Sequence, residues 1–155
     1  MKVLAEGMKL TNVIFHGSLP LHQMPIFYQK SLAMIVTLDD LPFCHMTLPG
    51  KVQSYMASGK PIISCASGAT NRLIIEANCG LTSESCDFVG LAKNIKALAY
   101  HPEQCVLYSK NASQYSNEHF SKKVFIDRLE NECFFETINV MMMLNKHLIS
   151  KTRRC

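Results

Sequence analysis

The sequence lacks the patterns that define several common classes of protein. It has no uninterrupted apolar run long enough to span a bilayer, and its first ten residues lack the apolar core of a secretory signal peptide. It also has no Walker motif and no GxGxxG fingerprint, which argues against a P-loop NTPase and a dinucleotide-binding domain. Of the 155 residues, 48% are hydrophobic and 18% charged, so the chain can bury a substantial core as one globular domain.

The cysteines give no sign of a zinc site or a disulfide framework. There are seven of them, an odd number, with no CxxC pair and no histidine-rich cluster of zinc-ligand spacing. Several have apolar neighbours, such as Cys65 in the run PIISCA. We therefore expect reduced, buried thiols in a cytoplasmic protein, with no structural disulfide.

Apolar runs and turn residues predict four strands that alternate with four helices. The predicted strands are residues 12–15, 34–38, 61–66 and 80–83, and the predicted helices are residues 21–33, 51–58, 69–78 and 88–100. Gly59 is expected to end the second helix, and Asp87 to cap the fourth. Residues 39–50 read as an irregular loop, and only helices are predicted beyond Pro102.

This alternation predicts an α/β fold. Units of roughly 20–30 residues are typical of strand–helix–strand crossovers in a parallel sheet. The strands are apolar and β-branched without a polar face, as expected for a sheet that helices cover on both sides. The predicted fold class is a Rossmann-like, doubly wound parallel sheet with extra C-terminal helices.

The end of the loop before residue 51 is a candidate anion site. In such sheets, ligands bind beyond the carboxyl ends of the strands, where loops meet helix N-termini. The end of this loop places four residues at or just before the first turn of the second predicted helix: Thr47, Leu48, Gly50 and Lys51. Free backbone N–H groups and the charge of Lys51 would suit a phosphate or diphosphate. A plain turn with a solvated lysine fits the spacing equally well.

Two longer stretches carry a more specific signal. They are NVIFHGSLPLHQMPIFYQKSLAMIVTL, and TLPGKVQSYMASGKPIISCASGATNRLIIEANCGLT, whose block PGKVQSYMASGKPII is the most specific part. Over residues 12–129 the sequence resembles the C-terminal, donor-binding half of a retaining glycosyltransferase of family 4. The subgroup it resembles makes bacterial surface polysaccharides and includes the L-fucosamine transferases of O-antigen and capsule assembly.

The resemblance implies one half of a GT-B enzyme, in which two Rossmann-like domains face each other across a cleft. This half would bind a nucleotide sugar, commonly a UDP-sugar, and transfer would retain the anomeric configuration without a metal or other cofactor. The positions that match the family's nucleotide-binding motifs are Phe15, His16, Gly17, Thr47, Leu48, Gly50, Lys51 and Ser54. The first three would lie by the base, the next four by the diphosphate, and the last by the ribose. The resemblance assigns no catalytic residue.

Two positions depart from the wider family, whose paired glutamates would fall at Met46 and Ser54. Met46 cannot hydrogen-bond a sugar hydroxyl, whereas Ser54 can do so without a charge. The form KVQSY is itself typical of the subgroup, so Ser54 does not argue strongly against activity. Asp39 and Asp40 are adjacent and not spaced as an Asp-x-Asp pair, which agrees with a metal-independent reaction.

The resemblance also predicts the domain organisation. Residues 1–130 would form the sugar-nucleotide-binding domain, with its first strand expected to be absent, and residues 131–155 a C-terminal helix and the basic tail KTRRC. The N-terminal acceptor domain of such enzymes has no counterpart in this sequence, so we expect this chain to be inactive alone. The surface that would face the acceptor domain is then exposed, and we expect it to favour self-association.

The complete enzyme would use a lipid-linked saccharide acceptor at the inner membrane face, with no nucleic acid as a partner. Two alternatives remain at this point. One is a non-catalytic nucleotide-binding or interaction module that completes an enzyme with a partner chain. The other is half of a UDP-sugar epimerase, against which the block KVQSYMASGKP argues.

Overall fold

A computed structural model describes residues 1–133 as a small sheet surrounded by helices. In chain order the elements are α1 (Lys2–Gly7), a 3-10 turn (Leu21–Gln23), α2 (Met24–Lys30), β1 (Met34–Thr37), α3 (Pro42–Met46), α4 (Gly50–Ala57), β2 (Ile62–Cys65), α5 (Ala69–Glu76), β3 (Gly80–Ser83), α6 (Phe88–Tyr100) and α7 (Pro102–His119). Residues 122–133 are also helical. No described helix is both long and apolar enough to cross a bilayer.

The three strands form a parallel sheet in the order β1, β2, β3. Met34 is in register with Ile62, and Ile62 with Gly80. Helices α3 and α4 connect β1 to β2, and α5 connects β2 to β3. Parallel neighbours require such crossovers, and the result is the Rossmann-like α/β fold that the sequence predicts.

Two apolar clusters cover the two faces of the sheet. The first comprises Val36, Val52, Met56, Ile62, Ile74, Ala77, Cys79 and Ala112, and the second comprises Ile63, Leu98 and Cys105. Successive strand residues point to opposite faces, so Ile62 packs with α4 and α5 while its neighbour Ile63 packs with α6 and α7. The predicted covering of the sheet on both sides is confirmed.

Local signals place most of the elements correctly. Strand β3 and helix α6 have the predicted bounds, and β1, α4, β2 and α5 differ by one or two residues at their ends. The Asp87 carboxylate caps α6 by accepting a hydrogen bond from the Gly90 N–H at 2.8 Å. Gly59 follows α4 with a φ of 63°, the left-handed conformation in which glycine commonly ends a helix.

The predicted strand at residues 12–15 is wrong. These residues have no regular secondary structure, and no backbone hydrogen bond joins them to another described residue. A strand needs a neighbour to complete its ladder, and none of the described strands pairs with this segment. The predicted loop at residues 39–50 also contains an unforeseen helix, α3, with Pro42 in its first turn.

Four cysteines lie in the core as expected: Cys44, Cys65, Cys79 and Cys105. Burial raises the pKa of the Cys79 thiol to about 11, because a thiolate would lose its hydration there. These side chains therefore act as small apolar groups in packing.

Candidate functional site

The loop that precedes α4 lies at the carboxyl ends of the strands. The Thr47 carbonyl accepts a hydrogen bond from the Thr70 hydroxyl at 3.0 Å. Gly68, with a φ of 77°, packs so closely on the backbone of His45 that a Cβ atom there would overlap the His45 carbonyl. Gly68 lies in the connection from β2 to α5 and Thr70 in the first turn of α5, so these contacts fix the loop beside the end of β2.

Helix α4 starts without a side-chain cap. Pro49 is the extended residue before it, and no side chain accepts a hydrogen bond from its first turn. Gly50 and Lys51 occupy that turn, and the Lys51 side chain is exposed. Uncapped N–H groups, the positive end of the helix dipole and an exposed lysine therefore occur at the same end of α4, an arrangement that favours an anion.

The other predicted residues around α4 have definite local roles. The Thr47 hydroxyl donates to the Phe43 carbonyl at 2.6 Å and so closes the end of α3. Leu48 is partly buried and packs on the first apolar cluster. Ser54 is exposed one turn after Lys51, where its hydroxyl donates to the Gly50 carbonyl at 3.3 Å. Leu48 therefore positions the loop, whereas Ser54 presents a hydroxyl beside Lys51.

The second predicted group, residues 15–17, lies against α2. The His16 and Phe27 rings meet edge to face with centroids 5.0 Å apart, and Gly17 has a φ of 72°. Helix α2 in turn contacts α4, where the Tyr28 and Tyr55 rings are 5.4 Å apart. Within residues 1–133, no hydrogen bond, ion pair or ring contact joins residues 15–17 to residues 47–51. The structure thus places five of the eight predicted residues just before and within α4, and the other three, residues 15–17, in the segment whose His16 ring contacts α2.

A cavity of about 420 Å³ opens at the ends of β1 and β2. Its lining includes Thr37, Leu38, Asp39, Cys44, Cys65 and Cys86. The strand-end rule predicts a cavity here, but sequence alone could not identify Cys86, which reaches it from beyond β3. Asp39 supplies the only carboxylate among the lining side chains and no lining side chain is cationic, while Met1, which carries the α-amino group, also lines the cavity. The Asp39 carboxylate can accept hydrogen bonds from hydroxyl groups of a molecule bound in this cavity.

A buried asparagine, which sequence reasoning missed, holds the carboxyl ends of β2 and β3 together. Asn71 is only 6% exposed, and its Oδ1 accepts a hydrogen bond from the Ser64 hydroxyl at 2.5 Å. Its Nδ2 donates to the Ala66 carbonyl and, at 3.0 Å, to the Ser83 carbonyl. The Ser83 hydroxyl also donates to the Ser64 carbonyl at 2.9 Å. The edge of the sheet that carries the cavity is therefore fixed by side-chain hydrogen bonds.

Electrostatics around the site depend on few groups. Asp40 forms an exposed pair with His45, whose Nε2 lies 2.7 Å from its Oδ1. Burial, with a smaller contribution from Tyr28, raises the pKa of Tyr55, so its phenol stays protonated at neutral pH. Across residues 1–133, no three histidine, cysteine or acidic side chains are grouped as metal ligands would be.

Comparison with known proteins gives the family. A family model described as glycosyl transferases group 1 matches residues 1–101, well over half of the chain, so the chain belongs to that family and carries a glycosyltransferase domain. The chain is similar to the structure of sucrose-phosphate synthase from Thermosynechococcus elongatus, with a TM-score of 0.72 and 20% identity. That match covers 87% of this chain and 34% of the other, so this chain spans about a third of that enzyme's length. A comparison with curated proteins gives no match.

Proposed function

We propose that this chain is the donor-binding half of a retaining glycosyltransferase that uses a UDP-sugar in bacterial surface polysaccharide assembly. Family membership supports sugar transfer. The observation that carries the donor-binding role is the uncapped start of α4, with Lys51 in its first turn, close to the strand ends where the cavity opens. This combination offers one place for a diphosphate and another for the sugar.

The proposed donor pose follows from the charges. The diphosphate lies over the N–H groups of Gly50 and Lys51, with the Lys51 ammonium as its counterion. The sugar lies toward the cavity, where Asp39 accepts hydrogen bonds from its hydroxyls. The Ser54 hydroxyl meets the ribose, and the base lies toward residues 15–17 on the α2 side. Met46, which is exposed, leaves the sugar without the carboxylate contact of the wider family.

The acceptor in this proposal is a lipid-linked saccharide, held by an acceptor-binding domain at the cytoplasmic face of the inner membrane. Nucleic acid has no role in it. A non-catalytic module that binds a nucleotide for a partner enzyme is the second candidate, favoured by the methionine at position 46. Both candidates predict UDP binding, but only the first predicts sugar transfer when the acceptor domain is present. Membership of the glycosyl transferase family argues against the third, half of a UDP-sugar epimerase.

Replacing Lys51 by alanine is expected to weaken UDP binding by about tenfold to a hundredfold, because a hydrogen bond to a charged group contributes roughly 1.5–3 kcal/mol. Uridine, which lacks the diphosphate, should lose little affinity. Titration calorimetry with both ligands measures the difference. Lys110→Ala, which removes an exposed lysine from α7, is the matched control and should bind UDP as the unaltered chain does. Equal losses for UDP and uridine would contradict a phosphate contact.

UDP binding is expected to be independent of divalent metal. In the proposed pose, the charge of the diphosphate is met by Lys51 and the N-terminus of α4, and the described residues offer no grouped metal ligands. The dissociation constant for UDP should therefore agree within about twofold in chelator and in manganese. Binding that disappears in chelator and returns with manganese would show that a metal bridges the diphosphate.

A further inference from the structure

A cavity that the donor proposal does not use is lined by α4, the end of α7 and the helix at residues 122–133. Its volume is about 500 Å³, within the range of roughly 300–1,000 Å³ that small-molecule sites have. The lining residues are Gln53, His119, Phe120, Lys122, Phe125 and Arg128. The lining thus combines two basic side chains with two phenyl rings and contains no carboxylate.

The basic residues of this cavity are held beside α7. Lys122, Phe125 and Arg128 are three residues apart, so they follow one row along the helix surface, with the phenyl ring between the two basic side chains. Burial raises the pKa of Tyr115 on α7, and the charge of Arg128 opposes this shift, so the guanidinium is close enough to the phenol to interact with it. The Tyr115 ring in turn stacks on His119, with centroids 4.1 Å apart.

Neither basic side chain is neutralised by a carboxylate within residues 1–133. Lys122 and Arg128 form no ion pair with a described residue. The carboxylates of Glu76 and Glu118, which line a different cavity, accept hydrogen bonds from neutral side chains at 2.8 and 2.9 Å. Two like charges beside one cavity repel each other, and an anion between them removes that repulsion. The charge distribution therefore favours an anionic ligand.

We propose that this cavity binds a phosphate ester, with the phosphate between Lys122 and Arg128 and an apolar or aromatic substituent against Phe120 and Phe125. Basic side chains form strong, charge-assisted hydrogen bonds to phosphate oxygens, and arginine can contact two of them at once. The Gln53 amide of α4 can donate a further bond. Inorganic phosphate would leave both phenyl rings without contacts, so the substituent completes the fit.

Two probes distinguish the possible sources of such a group, a soluble compound and a lipid headgroup. We expect phenyl phosphate, the soluble probe, to shift the backbone amide signals of residues 119–128 in an NMR titration of the full chain. Flotation with phosphatidylcholine vesicles that contain phosphatidic acid is the lipid probe, and vesicles of phosphatidylcholine alone are the reference. Binding to phosphatidic acid without a response to phenyl phosphate would assign the phosphate to a lipid headgroup. A chain that responds to neither probe would overturn the proposal.

Removing charge inside and outside the cavity tests the two basic residues. Lys122→Ala combined with Arg128→Ala should weaken binding of the effective probe at least about tenfold. The control combines Lys110→Ala with Lys123→Ala, which removes two exposed lysines outside the lining and changes the net charge equally. Circular dichroism checks that both variants are folded. Equal losses in the two variants would show attraction to a basic protein without a site, and would rule out the cavity.

The Lys51→Ala chain separates this cavity from the donor site, with which it shares no residue. This variant should lose affinity for UDP and keep the phenyl phosphate response at residues 119–128. The two proposals can therefore fail independently. A phenyl phosphate response confined to residues 47–51 and abolished by Lys51→Ala would place the phosphate at the donor loop and contradict a second site.

Discussion

Incubated with a UDP-sugar and a lipid-linked acceptor, this chain alone should give no detectable transfer, and transfer should appear once an acceptor-binding domain is supplied. The reason is geometric. Transfer requires donor and acceptor to be held in one closed cleft, and such positioning accounts for roughly 7–11 kcal/mol of a barrier. The described residues form one sheet with the loop that we propose binds the donor, and the chain spans about a third of sucrose-phosphate synthase.

The measurement is incorporation of radiolabelled sugar into membrane lipid after co-expression with the acceptor domain of a related family member. The Lys51→Ala chain with the same acceptor domain is the control, since it should fold normally and transfer poorly. Transfer by the unaltered chain alone would show that the acceptor site lies within these 155 residues. If the pair is inactive while the chain binds UDP, the non-catalytic module becomes the better description, and Met46 the first position to examine.

The predicted elements that proved right depend on neighbours in the sequence. Helix α6 has apolar residues at helical spacing and a capping aspartate, both of which are local, and its bounds were predicted without error. Residues 12–15 have an equally clear strand composition, but a strand exists only when another strand pairs with it. No local pattern shows whether such a partner is present. The strand prediction for residues 12–15 therefore failed because no described strand pairs with them, and not because their strand propensity is low.

The same distinction holds for the candidate site. The junction of a loop with α4 could be predicted, because a parallel sheet places such junctions at the carboxyl ends of its strands. The cavity could not be described from sequence, since Thr37 ends β1, Cys44 lies in α3, and Cys86 lies in the connection from β3 to α6. Asn71 was missed for another reason. Its helix was predicted, but a polar residue in a helix is usually exposed, and only the fold shows that this one is buried.

Replacing Asn71 by alanine is expected to lower the free energy of unfolding by about 3–5 kcal/mol, a large part of the stability of a domain of this size. The substitution leaves the Ser64 hydroxyl and the Ala66 and Ser83 carbonyls without the partner that they have in the buried network. An unsatisfied buried polar group costs roughly 1–3 kcal/mol, and two groups lose their partner, the Ser64 hydroxyl and the Ala66 carbonyl, since the Ser83 carbonyl still accepts from the Ala66 N–H at 3.0 Å. Urea denaturation followed by circular dichroism gives the change in free energy.

Asn111→Ala is the control for this experiment, because the Asn111 side chain also donates to a backbone carbonyl, that of Asn78 at 2.8 Å, but does so in solvent. Water can replace that bond, so the expected loss is at most about 1 kcal/mol. Equal losses for the two variants would mean that the buried network does not hold the strand ends. If the prediction is right, Asn71→Ala should also weaken UDP binding at temperatures where the chain is still folded. The loop of Thr47 is bonded to Thr70, the residue next to Asn71, and therefore depends on the same edge of the sheet.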